Sequence, residues 1–262
     1  MGVLNLTSDS FSADGLASDP VRAIDAVHAM EAAGADIIDI GAESTRPGAT
    51  PVSAADEWAR LRPVLRAVGG RVRVPLSIDT TKAQVANLAL DEGVAIVNDV
   101  SGLAYDPLMG PLLAARGVPV VLMHMRGRPT DMYAEAHYDD VVIEVMRQLQ
   151  RRVERALGFG IGWNRLILDP GLGFAKRPEH SFAVLAATSR LAVLGRPLLV
   201  GPSRKSFLTA ATGPLPAIDR DWATAAAVTA AVLGGAHIVR VHRVGDLVPV
   251  VRVADAIHHA SA

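Results

Sequence analysis

Asn5, Asp39, Asp79, Asn98, Asp99, His124, Asp169, Arg240 and His242 each close a short apolar run, and together they define most of the chemistry this chain could do. Asp79, Asn98 and Asp169 would supply oxygen acceptors plus an amide that both donates and accepts. Such a set suits the edge of a flat heterocycle with several N–H groups. Asp and Asn oxygens also suit magnesium, so a hard-metal site is the alternative, whereas no HExxH or clustered-histidine motif offers a dedicated zinc centre. Cations gather in two further segments, Ser203-Arg204-Lys205-Ser206 and Arg240-Val241-His242. An anionic substrate, held by these side chains and by helix N–H groups, would explain them. His242 is the histidine singled out, because Arg240 lies two residues before it. His28, His180, His258 and His259 fall on expected helices as surface residues, and His137 falls in a long loop or at a helix start.

Three loops add to this set. Residues 41–53, GAESTRPGATPVS, contain Glu43, Thr45, Arg46 and Pro47 but little that packs, and residues 7–19 are similarly polar around Phe11. Both are long enough to fold over a site as lids that exclude water, although mobile surface loops read the same way. In DPGLGFAK (169–176), Pro170, Gly171 and Gly173 shape a tight turn, and Phe174 could stack on an aromatic substrate or simply pack.

The elements that must position these residues alternate from end to end. β-rich runs recur at 2–7, 35–40, 72–79, 94–99, 118–124, 165–169, 197–201 and 236–242. Val/Ile/Leu-rich strands of this kind are expected in parallel sheets covered on both faces. Helical spacing fills the intervals at 54–68, 81–92, 106–115, 138–158, 179–192, 221–234 and 246–259, with a short piece at 203–210. The first helix starts at an Asp19-Pro20 cap, carries the stripe Val21, Ile24, Val27 and Met30, and stops at Gly34. Eight βα units of about 33 residues each describe a (β/α)8 TIM barrel, with its site at the C-terminal ends of the strands. The rival, a doubly wound sheet, would put a glycine-rich fingerprint after the first strand, where this chain has TSDSFSADG. No linker or change of composition divides the chain, so one barrel domain over 1–262 is expected.

Composition narrows the function classes. The 26 basic and 27 acidic residues leave a net charge of −1, which gives no general nucleic-acid footprint. The chain has no cysteine, which removes disulfide scaffolds, thiolate metal sites and cysteine nucleophiles. No run of about 18 apolar residues offers a membrane span. The start, MGVLNLTSDSF, lacks the pattern of a signal peptide. A soluble, cytoplasmic protein is expected.

The segments MGVLNLTSDSFSADG, DIGAESTRPGA, SIDT, VNDVSG, LMHM, LDPGLGFAK, GPSRKSF and VRVH, in this order, resemble the dihydropteroate synthase family over nearly the whole chain. SIDT is a weak signal alone, but ESTRPGA, DPGLGFAK and SRKSF after the proper strands are specific together. The resemblance implies a usually dimeric (β/α)8 barrel that joins p-aminobenzoate to the methylene carbon of a 7,8-dihydropterin pyrophosphate, with Mg²⁺. Carried to this chain, it implies that Asp79, Asn98, Asp169, Lys205 and Arg240 bind the pterin, with Val100 and Met123 as apolar wall. Asn5 would ligate Mg²⁺ and, with Arg46, Arg240 and His242, hold the pyrophosphate. Thr45, Pro47, Phe174, Ser203, Lys205 and Ser206 would frame p-aminobenzoate. Asp39 would help organise the lids and offset the forming cation, and Asp39, Asp79, Lys205, Arg240 and His242 form the catalytic set. The implied path is SN1-like, with C–O cleavage before amine attack.

The chain departs from the family pattern in having Ser8 where proline is common, Ala13-Asp14 before Gly15, and Arg243 where aspartate usually follows Val-His. Arg243 would add positive charge beside the anion site or point outward. These departures keep open a non-catalytic pterin-binding module. A pterin-dependent methyl-transfer domain is the other alternative, although ESTRPGA and SRKSF favour p-aminobenzoate.

Overall fold

The computed structural model describes residues 1–7, 19–46 and 48–260. Six parallel strands pair in sequence order: β1 (Gly2–Asn5), β2 (Ile38–Gly41), β3 (Leu76–Asp79), β4 (Ile96–Asp99), β5 (Val120–Met123) and β6 (Leu166–Asp169). A second parallel pair, β7 (Leu199–Val200) and β8 (Ile238–Val239), completes the ring. Two bridges close it, Leu168 to Leu198 and Gly2 to Val241. All eight expected strands are present in shortened form, and the architecture is the expected (β/α)8 barrel.

Helices cover the outside: α1 (Pro20–Ala32), α2 (Ala54–Val68), α3 (Ala83–Asp91), α4 (Met109–Arg116), α5 (Val141–Gly158), α6 (Pro178–Ala186), α7 (Thr188–Leu191), α8 (Thr209–Thr212), α9 (Asp221–Leu233) and α10 (Val244–Ala260). The expected helix 179–192 breaks at Ala187 into two, and the short piece near 203–210 becomes a 3-10 turn at Ser206–Leu208 followed by α8. The α1 cap is as read: Asp19 Oδ1 accepts from the N–H groups of Val21 and Arg22, both at 3.1 Å. The stripe needs one correction. Val27 is fully buried and Ile24 and Met30 pack against the core, but Val21 points outward.

One apolar layer lies between strands and helices, built from residues such as Ile40, Leu61, Ile78, Val97, Leu122, Leu149 and Val228. A second cluster, Met1, Ile96, Val121 and Leu199, fills the barrel interior from strands spaced around the ring, as inward layers do in this fold. Both ends of the chain's first residue are engaged there: the Met1 amino group donates to Val239 O at 2.9 Å, and Val241 N donates to Met1 O. Strand register then decides the site. Asn5, Gly41, Asp79 and Asn98 stand in one row across β1–β4. Asp169 faces Met123 one pair further round.

Candidate active site

Arg240 organises the mouth of the barrel. Its Nε donates to Asp39 Oδ2 at 2.7 Å and its Nη2 to Asp79 Oδ2 at 2.8 Å. Asn98 Nδ2 donates to the same Asp39 oxygen at 3.0 Å, while Asp39 Oδ1 is buried with no hydrogen-bond partner among the described residues. Asp39 therefore sits wholly inside the barrel, in contact with Arg240 and Asn98. Its charge acts on the guanidinium and on whatever occupies the pocket. Burial pushes the Asp79 carboxyl up to about 7 despite Arg240 beside it. The Asp169 carboxyl is also raised by burial, against the pull of Lys205. Its Oδ1 accepts from Gly171 N at 2.7 Å.

An apolar cluster lies beside these groups. Val100 and Met123 are buried in one cluster with Met125, Met132 and Ala175, and Phe174 packs on it from the mouth. Lys205 lies over the Phe174 ring, its Nζ 4.4 Å from the centroid, and also donates to Leu172 O. Burial lowers the Lys205 ammonium to about 8. The loop presenting Lys205 is pinned by its neighbour: Arg204 has a left-handed backbone (φ 60), makes two 2.8 Å bonds to Asp221, and its N–H donates to Thr224 Oγ1 at 3.0 Å. A solvated basic turn would not be tied to α9 in this way. Ser206 is exposed at the start of the 3-10 turn.

At the other side of the mouth, Ser203 Oγ accepts from His242 N at 3.2 Å and lies 2.9 Å from His242 Nδ1. Ser203 therefore ties the loop after β7 to His242. Burial, then Arg240 and Arg204, and at longer range Arg46, lower the His242 imidazole to about 3. It is thus neutral near pH 7. In the tautomer in which the Ser203 hydroxyl donates to Nδ1, the ring presents Nε2–H as a donor. A cavity of about 470 Å³ adjoins this end, with Asn5, Arg22, Asp25, Arg204, His242 and Arg243 in its lining. Arg243 is held by Asp246 at 2.8 Å and is more than half exposed, so its extra charge is largely compensated.

The β2–α2 loop is anchored, contrary to the expectation of little packing. Lys82 Nζ bridges Glu43 at 2.7 Å and the buried Glu57 at 2.6 Å. Glu43 accepts from Val52 N at 2.8 Å, Arg60 donates to Ala42 O, and Gly48 N donates to Pro129 O. These bonds hold Thr45 and Arg46, both half-buried, at the mouth. Pro47, and Ser8, Phe11, Ala13, Asp14 and Gly15 of the first loop, lie outside the described residues.

Two strand-end residues do other work. Asp99 closes the turn after β4, accepting from Ser101 N, Ser101 Oγ and Leu103 N. His124 is fully buried against Lys176, whose Nζ lies 2.7 Å from Nδ1. Sequence reading gave Lys176, Lys82 and Glu57 no role. A lysine ending an otherwise apolar, glycine-shaped motif was the available signal for Lys176; nothing marked the other two.

A barrel whose C-terminal mouth joins buried carboxylates and an amide to a cationic rim defines a pterin-binding enzyme, and residues 1–242 match the family model for pterin binding enzymes. Within that class the chain belongs to the dihydropteroate synthase family. It is 42% identical to the dihydropteroate synthase of a Synechocystis strain, over 98% of this chain and 89% of that one. The Yersinia pestis dihydropteroate synthase, solved as a sulfonamide drug complex, superposes with a TM-score of 0.95 at 40% identity, covering 100% of this chain and 94% of that one. The Xanthomonas albilineans enzyme, solved with 4-aminobenzoic acid, gives 0.91 at 40% identity, covering 98% and 92%.

Proposed function

We propose that this chain, as one pterin-binding barrel domain, condenses 6-hydroxymethyl-7,8-dihydropterin diphosphate with p-aminobenzoate to 7,8-dihydropteroate and pyrophosphate by an SN1-like path. The observation that carries the reading is Arg240, which touches Asp39 and Asp79 in the pocket while lying beside the His242 end of the mouth. Asp79, Asn98 and Asp169 accept and donate along the pterin edge, with Val100 and Met123 against its face. Arg46, Arg240 and the Nε2–H of His242 stabilise the charge that develops on the departing pyrophosphate. Cleavage of the C–O bond leaves a resonance-stabilised pterin cation, which the Asp79 and Asp39 carboxylates offset. Thr45, Pro47, Phe174, Lys205 and Ser206 frame p-aminobenzoate, whose amine attacks the methylene carbon and then releases a proton to solvent. The amine is already unprotonated near neutral pH, so no strong protein base is needed.

Mg²⁺ fits the donor set. Among the described residues no group of three or more His, Cys, Asp or Glu gathers for a metal. Magnesium, however, is commonly held by one or two protein oxygens plus substrate phosphates and water. The Asn5 amide at the end of β1, in the lining of the cationic cavity, supplies such an oxygen. Bound with the diphosphate, the ion would help neutralise the leaving group.

The test is p-aminobenzoate-dependent release of pyrophosphate with Mg²⁺, followed across pH. In the free enzyme, kcat/KM should rise as pH passes about 7, where Asp79 becomes an acceptor carboxylate, and fall above about 8 as Lys205 loses its charge. His242 should contribute no limb between these. A folded protein that releases no pyrophosphate would sink the reading.

We also propose a cytoplasmic homodimer. Among the described residues no helix is long and apolar enough to cross a membrane. Sequence alone let Val250, Val251, Val253, Ala254 and Ile257 all cover strands. Ala254 is buried, but Val253 and Ile257 face outward, and on the adjoining α9 Trp222 is 88% exposed and Leu233, at the far end of that helix, is exposed too. Exposed apolar residues on two neighbouring helices support a self-association surface. Trp222→Arg is expected to halve the sedimenting mass at micromolar concentration; an unchanged mass would move the interface elsewhere.

A further inference from the structure

Lys176 is 1% exposed, and it is among the largest fully buried side chains of the protein. A buried lysine nitrogen is costly unless its polar directions are used. Here they are: Nζ donates to Gly171 O at 3.0 Å and Phe174 O at 3.1 Å, and its remaining direction meets His124 Nδ1 at 2.7 Å. Both carbonyls belong to the loop between β6 and α6, which begins at the pterin-facing Asp169 and carries Phe174.

That loop cannot hold its own shape cheaply. Gly171 (φ 66), Gly173 (φ 76) and the non-glycine Ala175 (φ 47) all take left-handed backbone conformations. A side chain at Gly171 would collide with the His124 carbonyl oxygen. The loop is instead clipped from both sides. Lys176 gathers its carbonyls from inside, and Tyr138 Oη donates to Ala175 O at 2.8 Å from outside. The Tyr138 ring is in turn covered by Arg126, 3.9 Å from its centroid. Burial pushes both the Lys176 amine and the His124 imidazole well below their ordinary values, so the 2.7 Å contact between Nζ and Nδ1 joins two groups whose charged forms this site disfavours. The backbone N–H of His124 donates to Asp169 O at 2.8 Å, so the clip and the pterin acceptor share one backbone junction.

We propose that Lys176, with Tyr138, is a positioning residue for p-aminobenzoate: it holds the β6–α6 loop so that Phe174 stands against Lys205 as the wall of the aromatic-amine site. Lys176 touches neither substrate, and its action passes through Phe174. The proposal rests on the synthase reading above.

The experiment is a double-mutant cycle in the full chain, with the parent enzyme as control. Lys176→Met keeps the volume and removes the donors. It should raise KM for p-aminobenzoate about tenfold, as expected for loss of a buried hydrogen-bonding group, while kcat changes less than about threefold. A merely structural loss would lower the active fraction and so Vmax, and leave KM alone. In a Phe174→Ala background the same change should add less than about twofold, because the group it positions is gone. Tyr138→Phe deletes only the outer bond, and should raise KM about two- to fivefold with the melting temperature unchanged. An unchanged KM in Lys176→Met, or a full tenfold rise persisting without Phe174, overturns the proposal. If Lys176→Met does not fold, an unchanged KM in Tyr138→Phe overturns it. A parent that never consumes p-aminobenzoate rejects the synthase reading itself, and this role with it.

Discussion

Arg240→Ala should lower kcat/KM for the dihydropterin diphosphate by roughly three orders of magnitude or more, the largest effect expected of any single change at the mouth. One donor to a developing anion is worth about 2.7–4 kcal/mol, or about 10²–10³ in rate. Arg240 also holds Asp39 and Asp79, so its loss leaves two buried carboxylates without their counter-ion. Breaking a buried pair from one side costs about 3–5 kcal/mol of stability. The stability deficit should depend on pH in a definite direction. The folded Asp79 carboxyl already stands near 7, above its ordinary value of 3.8, and removal of the cation raises it further. A raised folded pKa favours the folded state at low pH and is a growing penalty as pH rises through it. The melting temperature of the variant should therefore approach that of the parent as pH falls toward about 4. Thermal scans from pH 4 to 8, beside steady-state kinetics, check both parts. Parent-like turnover, or a deficit that grows on acidification, would reject the assignment.

Asp169→Asn should weaken dihydropterin binding by about a hundredfold while leaving the fold intact. The amide oxygen of asparagine can still accept from Gly171 N, the contact that shapes the loop after β6. The other atom changes from an acceptor to a donor, and it then faces the N–H groups of the heterocycle. A matched charged bond is lost and two donors are opposed in a dry pocket. Calorimetric titration with the dihydropterin diphosphate should show the loss in affinity, and the melting temperature should move by only a few degrees. Tight binding by the variant would remove Asp169 from the pterin site.

The two predictions bear unequally on what the sequence made legible. Asp169 could be read because it ends a strand and opens DPGLGFAK, a motif whose glycines announce a tight turn. Its place in the pocket follows from strand direction alone. The same holds for Asp79 and Asn98, which strand register sets side by side in one row. Arg240 could be assigned to the anion, but its two carboxylate partners could not be known: Asp39 is 201 residues away in the chain. Ser203 shows the limit of local reading. The resemblance put it around p-aminobenzoate, and no local pattern told that the return of β8 beside β7 would set its hydroxyl against His242.

The sequence by itself determined the eight alternating units, the order of the strands, and which side chains stand at their C-terminal ends, because periodicity and turn chemistry are local properties of the chain. The net charge of −1 carried none of the site. Only the tertiary structure decided how charges separate within that average: a carboxylate and amide row neutralised in part by Arg240, a cationic rim beside it, and a lysine amine sealed behind the β6–α6 loop, where burial pushes it well below its ordinary value. Ring closure brings together residues from opposite ends of the chain, and burial then fixes their protonation, since desolvation depends on every element packed around a group. The buried Lys176 shows this most plainly. In the sequence it is the last letter of a motif; in the barrel it holds two loop carbonyls, and nothing local to it could have shown which.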